Sequence, residues 1–102
     1  MSMIIVEFSI APLGVSESIS RYVAEAIRVL EAEGVKYQLT PMCTIFEVEN
    51  IEDAFKIIVK AHNAVLKAGA KRVLTSIKID DRRDVERKME DKVKSVLDKL
   101  KG

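Results

Sequence analysis

One α+β domain, a four-stranded antiparallel sheet with helices packed on one face and a further helix at the C-terminus, is what this sequence predicts. Three observations predict it. Along the 102 residues the apolar positions alternate between a two-residue and a three-to-four-residue period, in the order β-α-β-β-α-β-α. The stretches GVKYQLT (34–40) and GAKRVLT (69–75) share the pattern Gly-Xaa-Lys-Xaa-Xaa-Leu-Thr, and a helical pattern runs into each. The composition, 48% hydrophobic and 32% charged, is that of a globular chain rather than a disordered one.

The first strand is read from Met3 to Ile10, where Ile4, Val6, Phe8 and Ile10 alternate with Ile5, Glu7 and Ser9. Pro12 and Gly14 are expected to end it, with Ser16 as N-cap of the helix that follows. That helix carries Ile19, Tyr22, Val23, Ala26, Ile27 and Leu30 on one stripe and stops at Gly34. KYQLT and MCTIFEVEN are two strands separated by a turn at Pro41, which cannot donate to a ladder. Asn50 caps the second helix, whose apolar side is read as Ala54, Phe55, Ile58, Val59, Ala61, Val65 and Leu66, and Gly69 ends it. KRVLTSIKI is the fourth strand. After the polar run 80–84, Asp84 is expected to cap a last helix with Val85, Met89, Val93, Val96, Leu97 and Leu100 on its stripe.

Two β-α-β units joined by a short link make the ferredoxin-like βαββαβ sandwich, here with an extra C-terminal helix over a single domain, residues 1–102. Right-handed crossovers put both helices on one face and the first and third strands in the middle. The two glycine-led repeats are then the helix-to-strand corners of two pseudo-symmetric halves.

Seventeen basic and 16 acidic side chains nearly cancel, so no polyanionic partner is called for, and nucleic acid is not expected. The strand phenylalanines, Phe8 and Phe46, fall on the helix side, where they cannot stack bases. No apolar run approaches the roughly 20 residues that span a bilayer, and the chain opens almost directly on a strand, so a cytoplasmic protein is expected. One cysteine, Cys43, and one histidine, His62, provide no metal spacing and no nucleophile–base constellation. His62 is read as a packed, hydrogen-bonded residue at the core edge.

With the even residues of the first strand facing the helices, Ile5, Glu7 and Ser9 face away. In the same way Cys43, Ile45 and Glu47 of the third strand and Leu74, Ser76 and Lys78 of the fourth lie on the open face. Apolar residues with embedded carboxylates suggest a face covered by another subunit; an ordinary half-solvated sheet is the alternative. Glu7 and Glu47 could act as acid and base, bind a cationic or amino-bearing ligand, or pair with Lys78.

The segments IIVEFSIAPLG-x-S-x-S-x-S-x-YV, YQLTPMCTIFE and AHNAVLKAGAKRVLTSIKIDDR together resemble the thiamine-binding, YkoF-like family of small ferredoxin-like proteins, up to about Arg82. That resemblance implies association into dimers or tetramers through the sheets, binding of thiamine or its hydroxymethylpyrimidine part by some members, and no established catalysis or cofactor. Glu7, Ser9, Thr40, Thr44 and Glu47 match the family's polar positions on or beside the central strands, and Thr75 and Lys78 belong to the late motif. Glu7 and Glu47 are expected to meet the ligand's amino group or cation, with Ser9, Thr44 and Thr75 supplying hydrogen bonds. Thr44 and Thr75 face the helices by alternation, so their inclusion rests on the resemblance alone. Cys43 stands where the family pattern has glycine. Two other classes compete: an oligomerisation module without a ligand, and an acylphosphatase-like hydrolase with an anion-cradling loop at 11–16.

Overall fold

The computed structural model describes residues 3–102. Its elements are β1 (Ile4–Leu13), α1 (Ser20–Glu33), β2 (Tyr37–Leu39), β3 (Thr44–Val48), α2 (Ile51–Lys67), β4 (Arg72–Asp80) and α3 (Met89–Lys101). All strand pairs are antiparallel, in the order β2-β3-β1-β4, so the first and third strands are central as the crossover rule requires.

Alternation sets the core. Ile4, Val6, Phe8 and Ile10 of β1 and Phe46 and Val48 of β3 are buried beneath Tyr22, Ala26 and Leu30 of α1 and Ala54, Ile57, Ile58, Ala61 and Val65 of α2. Phe8 and Phe46 meet edge-to-face at 5.7 Å between ring centres. On α2 the buried stripe is rotated from the expected one. Ile57 is inside, whereas Phe55, Val59 and Leu66 are exposed, because a helix packed flat on a sheet buries a band centred on the 54-58-61-65 line.

The helix ends show how the chain turns. Gly34 leaves α1 in the left-handed conformation (φ +70°), which a Cβ would strain, and its N–H returns to Glu31 O. Asn50 Oδ1 accepts the Asp53 N–H at 2.9 Å and caps α2. Two helices start later than their cap signals suggest. α1 begins at Ser20, past Ser16, whose hydroxyl bonds instead to Ser18 O. α3 begins at Met89, leaving Val85 outside it. The run before it is occupied by Arg82–Asp84 and Arg83–Asp81 pairs, and Asp91 reaches back to the Lys88 N–H to close the actual N-terminus. β1 likewise runs on through Pro12 to Leu13. Beyond Phe8 only β4 flanks it, and a residue without an N–H is tolerated where one side is unpaired.

The helix-free face is covered in part by the chain itself. Met89, at the start of α3, is 5% exposed and sits on this face. Lys36 beside β2 pairs with Glu90, and Lys92 with Asp80 at the end of β4 (2.6 Å), so the first turn of α3 is tied to both edges of the sheet. The rest of α3 is only loosely covered: Val93, Val96, Leu97 and Leu100 are all more than half exposed.

Candidate functional site

The β1–β3 ladder stops at Phe8↔Thr44 while β1 continues to Leu13. Where the ladder ends, the overhanging β1, the first turns of α1 and the β2–β3 turn enclose a cavity of about 100 Å³. Ser9, Thr40, Cys43 and Thr44 supply its polar lining, and Ile19, Val23 and Leu39 are among its apolar walls.

Thr40 builds the turn. Its Oγ1 accepts the Cys43 N–H (3.1 Å), lies 2.8 Å from Cys43 O, to which it donates, and is 3.4 Å from Cys43 Sγ. This side chain-to-backbone clasp around Pro41 holds the mouth of the cavity in one shape. Thr44 is the residue with chemistry to spare. It is 4% exposed, and its hydroxyl finds no protein partner among the described residues. No fully enclosed side-chain oxygen or nitrogen is left unsatisfied among the described residues, so the hydroxyl is not sealed off, and the cavity is the space Thr44 lines. A hydroxyl in that position offers one donor and two acceptor sites to whatever enters. Cys43, a half-buried free thiol, lines the same space.

The other expected residues lie elsewhere. Glu7 and Lys78 are cross-strand neighbours on the open face, in a cavity of about 310 Å³ roofed by Met89, Lys92 and Val93 of α3 and also lined by Gln38 and Asp80. Glu47 faces the same side but is 5% exposed, and its Oε2 accepts the Met89 N–H at 2.9 Å. It thereby satisfies one of the free N–H groups at the α3 N-terminus, where a carboxylate is electrostatically favoured. Thr75, on the helix face of β4, is bonded to His62 Nδ1 at 2.6 Å, which makes His62 a hydrogen-bonded residue at the core edge. The seven residues therefore form two groups and two individual contacts, not one site. Sequence reasoning missed Met89 as the partner of Glu47 and Gln38 as part of the open-face cavity; neither carries a local signal. Arg21, the arginine nearest the loop after β1, is turned to Ala68 O and the Tyr22 hydroxyl. No cluster of three metal-binding side chains occurs among the described residues, and no helix there is long and apolar enough to cross a membrane.

Comparison with known proteins places the fold and these residues in a family. The family model described as thiamine-binding protein matches residues 6–97. This chain belongs to the thiamine-binding protein family. A UPF0045 protein of Methanothermobacter thermautotrophicus is 44% identical over 99 residues, covering 96% of this chain and all of the relative. UPF0045 protein YqgV of Bacillus subtilis is 46% identical, covering 92% and 94% of the two chains. Among solved structures, protein MJ1052 of Methanocaldococcus jannaschii superposes with a TM-score of 0.85 at 36% identity, over 94% of this chain and 97% of that one. A Thermotoga maritima protein described as a candidate for thiamine biosynthesis or salvage superposes with a TM-score of 0.77 at 22% identity over 92% and 98%, a likeness of fold. The solved chains share this α+β architecture, and the family's name denotes binding rather than a reaction.

Proposed function

We propose that this protein is a non-enzymatic, cytoplasmic binder of a thiamine-type heterocycle, and that the aminopyrimidine ring enters the cavity between α1, β1 and the β2–β3 turn. The observation that carries the reading is Thr44: a residue only 4% exposed, lining a cavity of about 100 Å³, whose hydroxyl has no protein partner among the described residues. That space matches one six-membered ring with a small substituent, and an apolar cavity with a few convergent polar groups is the usual form of a small-molecule site. Ser9 and Thr44 provide hydrogen bonds to ring nitrogen and exocyclic amine, and Thr40 positions the turn. The larger part of the ligand leaves past Met42, which is 86% exposed. The family match and the thiamine description attached to the Thermotoga maritima neighbour support this choice of ligand.

A second reading is favoured by the open-face cavity, where Glu7 and Asp80 could hold a cationic or amino group. Calorimetric titration with thiamine and with hydroxymethylpyrimidine separates the two. Thr44→Val should lower affinity about tenfold, the magnitude of one lost hydrogen bond in a partly dry site. Loss on Glu7→Gln with Thr44→Val unaffected would move the site to the open face.

We further propose a homo-oligomer in which the sheet faces of two copies meet. The support is the exposed stripe Val93, Val96, Leu97 and Leu100 of α3 and, on β4, Leu74, which is 64% exposed.

A further inference from the structure

The strand registers line up one row across the helix-free face. Gln38 of β2 is opposite Ile45 of β3, Ile45 opposite Glu7 of β1, and Glu7 opposite Lys78 of β4. Ile5 and Asp80 make the next pair on the same face, since residues two apart along a strand share a side. Above them pass Met89, Lys92 and Val93, spaced to lie on one side of α3. Floor and roof enclose the cavity of about 310 Å³, at the lower end of the range for small-molecule sites. Its middle is apolar: Ile5 and Ile45 are half-buried below, and Met89 and Val93 close it above.

The polar groups around it are of two kinds. Asp80 and Lys92 are spent on each other at 2.6 Å and pin roof to floor. Glu7, Lys78 and Gln38 are not spent: none of them makes a side-chain hydrogen bond or ion pair among the described residues. Residues directly opposite on antiparallel strands have Cα atoms about 4.5–5.5 Å apart, and an opposite-charge pair there is favourable. Glu7 and Lys78 nevertheless do not close the ion pair that their register offers. One charge of each sign therefore stands exposed, side by side, at the border of an apolar space.

We propose that this cavity is a second binding site, and that it takes an α-amino acid with an apolar side chain. Such a molecule carries its ammonium and its carboxylate on one carbon, so two cross-strand neighbours of opposite charge can address both at once. The Glu7 carboxylate accepts from the ammonium and the Lys78 ammonium donates to the carboxylate, each a charge-assisted hydrogen bond. The ligand's side chain then lies over Ile45, beneath Met89 and Val93, with Gln38 at the far end of the row. A simple cation would meet Lys78 as a like charge, and a simple anion would meet Glu7 in the same way. A ligand bearing both charges satisfies both groups. The site shares no lining residue with the cavity between α1, β1 and the β2–β3 turn, so it does not rest on the heterocycle reading.

Amide resonances of the full chain, followed during titration with L-leucine, test the assignment. Saturable shifts are expected at Ile5, Glu7, Ile45, Lys78, Met89 and Val93, with slower amide exchange along α3 because its residues form the roof. Isoamylamine lacks the carboxylate and isocaproate lacks the ammonium; each should bind about tenfold more weakly, the scale of one lost charge-assisted contact. Glu7→Gln and Lys78→Gln should each weaken L-leucine by about the same factor while the remaining strand resonances keep their positions. Saturating thiamine should leave the L-leucine curve where it was. No shift at millimolar L-leucine, equal binding of either one-charge analogue, shifts confined to residues 40–44, or displacement by thiamine would each overturn the proposal.

Discussion

Thr44 carries two expectations that pull in opposite directions, which makes it informative. Replacing its hydroxyl by the methyl of valine removes a polar atom of a nearly buried residue that no protein group satisfies among the described residues. Thr44→Val should therefore hold or raise the melting temperature while weakening ligand binding about tenfold. A merely structural threonine would lower both. Thermal unfolding with and without thiamine reads the two effects in one experiment. The facing of this residue was legible in the sequence, since alternation along TIFEV puts Thr44 with Phe46 and Val48. Its function was not, because the cavity depends on the ladder ending at Phe8↔Thr44, and periodicity does not show where pairing stops. Glu47 is similar. Its register to the open face was correctly read, but its partner, the Met89 N–H, is 42 residues away.

Among the elements, α3 is held at its start and free thereafter. Glu47→Ala removes the acceptor of a buried N–H and should cost about 1–3 kcal/mol, measured by urea unfolding. Faster amide exchange at Met89 and along α3 should accompany it, with the β1–β4 amides unchanged. Asn50→Ala removes the side-chain cap of α2 and should cost about 1 kcal/mol in the same assay. The α1–α2 seam is pH-sensitive. Hydrogen bonding to Lys60 lowers the Glu33 pKa below its ordinary value of 4.5, against a smaller opposing effect of desolvation. A lowered folded-state pKa means a contribution present above 4.5 and lost as pH falls through the depressed value. Lys60→Gln should flatten that part of the acid limb of stability. The elements themselves were readable because two-residue and helical periods differ sharply. Their starts were less so: Ser16 and Asp84 have cap chemistry, but local hydrogen bonds and ion pairs hold those segments outside the helices. The α2 stripe was misplaced for a further reason. Phe55 and Val59 have core-type side chains, and only the packing angle of the helix reveals that they point away.

For the whole molecule, the sequence was enough for the split β-α-β topology because right-handed crossovers leave one arrangement of four strands. It was not enough to predict that the chain covers part of its own open face, since that requires a 13-residue helix to fold back over β1 and β3. The face left over still presents Leu74 and the α3 stripe. Leu97→Lys and Val93→Glu should shift the protein to smaller assemblies in light scattering while its circular dichroism stays constant. The most direct test of the binding account is to follow backbone amide resonances of the full chain during titration with thiamine. The account expects saturable shifts at Ser9, Val23 and residues 40–44. Shifts confined to Glu7, Gln38, Lys78 and Met89, or none at millimolar thiamine, would contradict it.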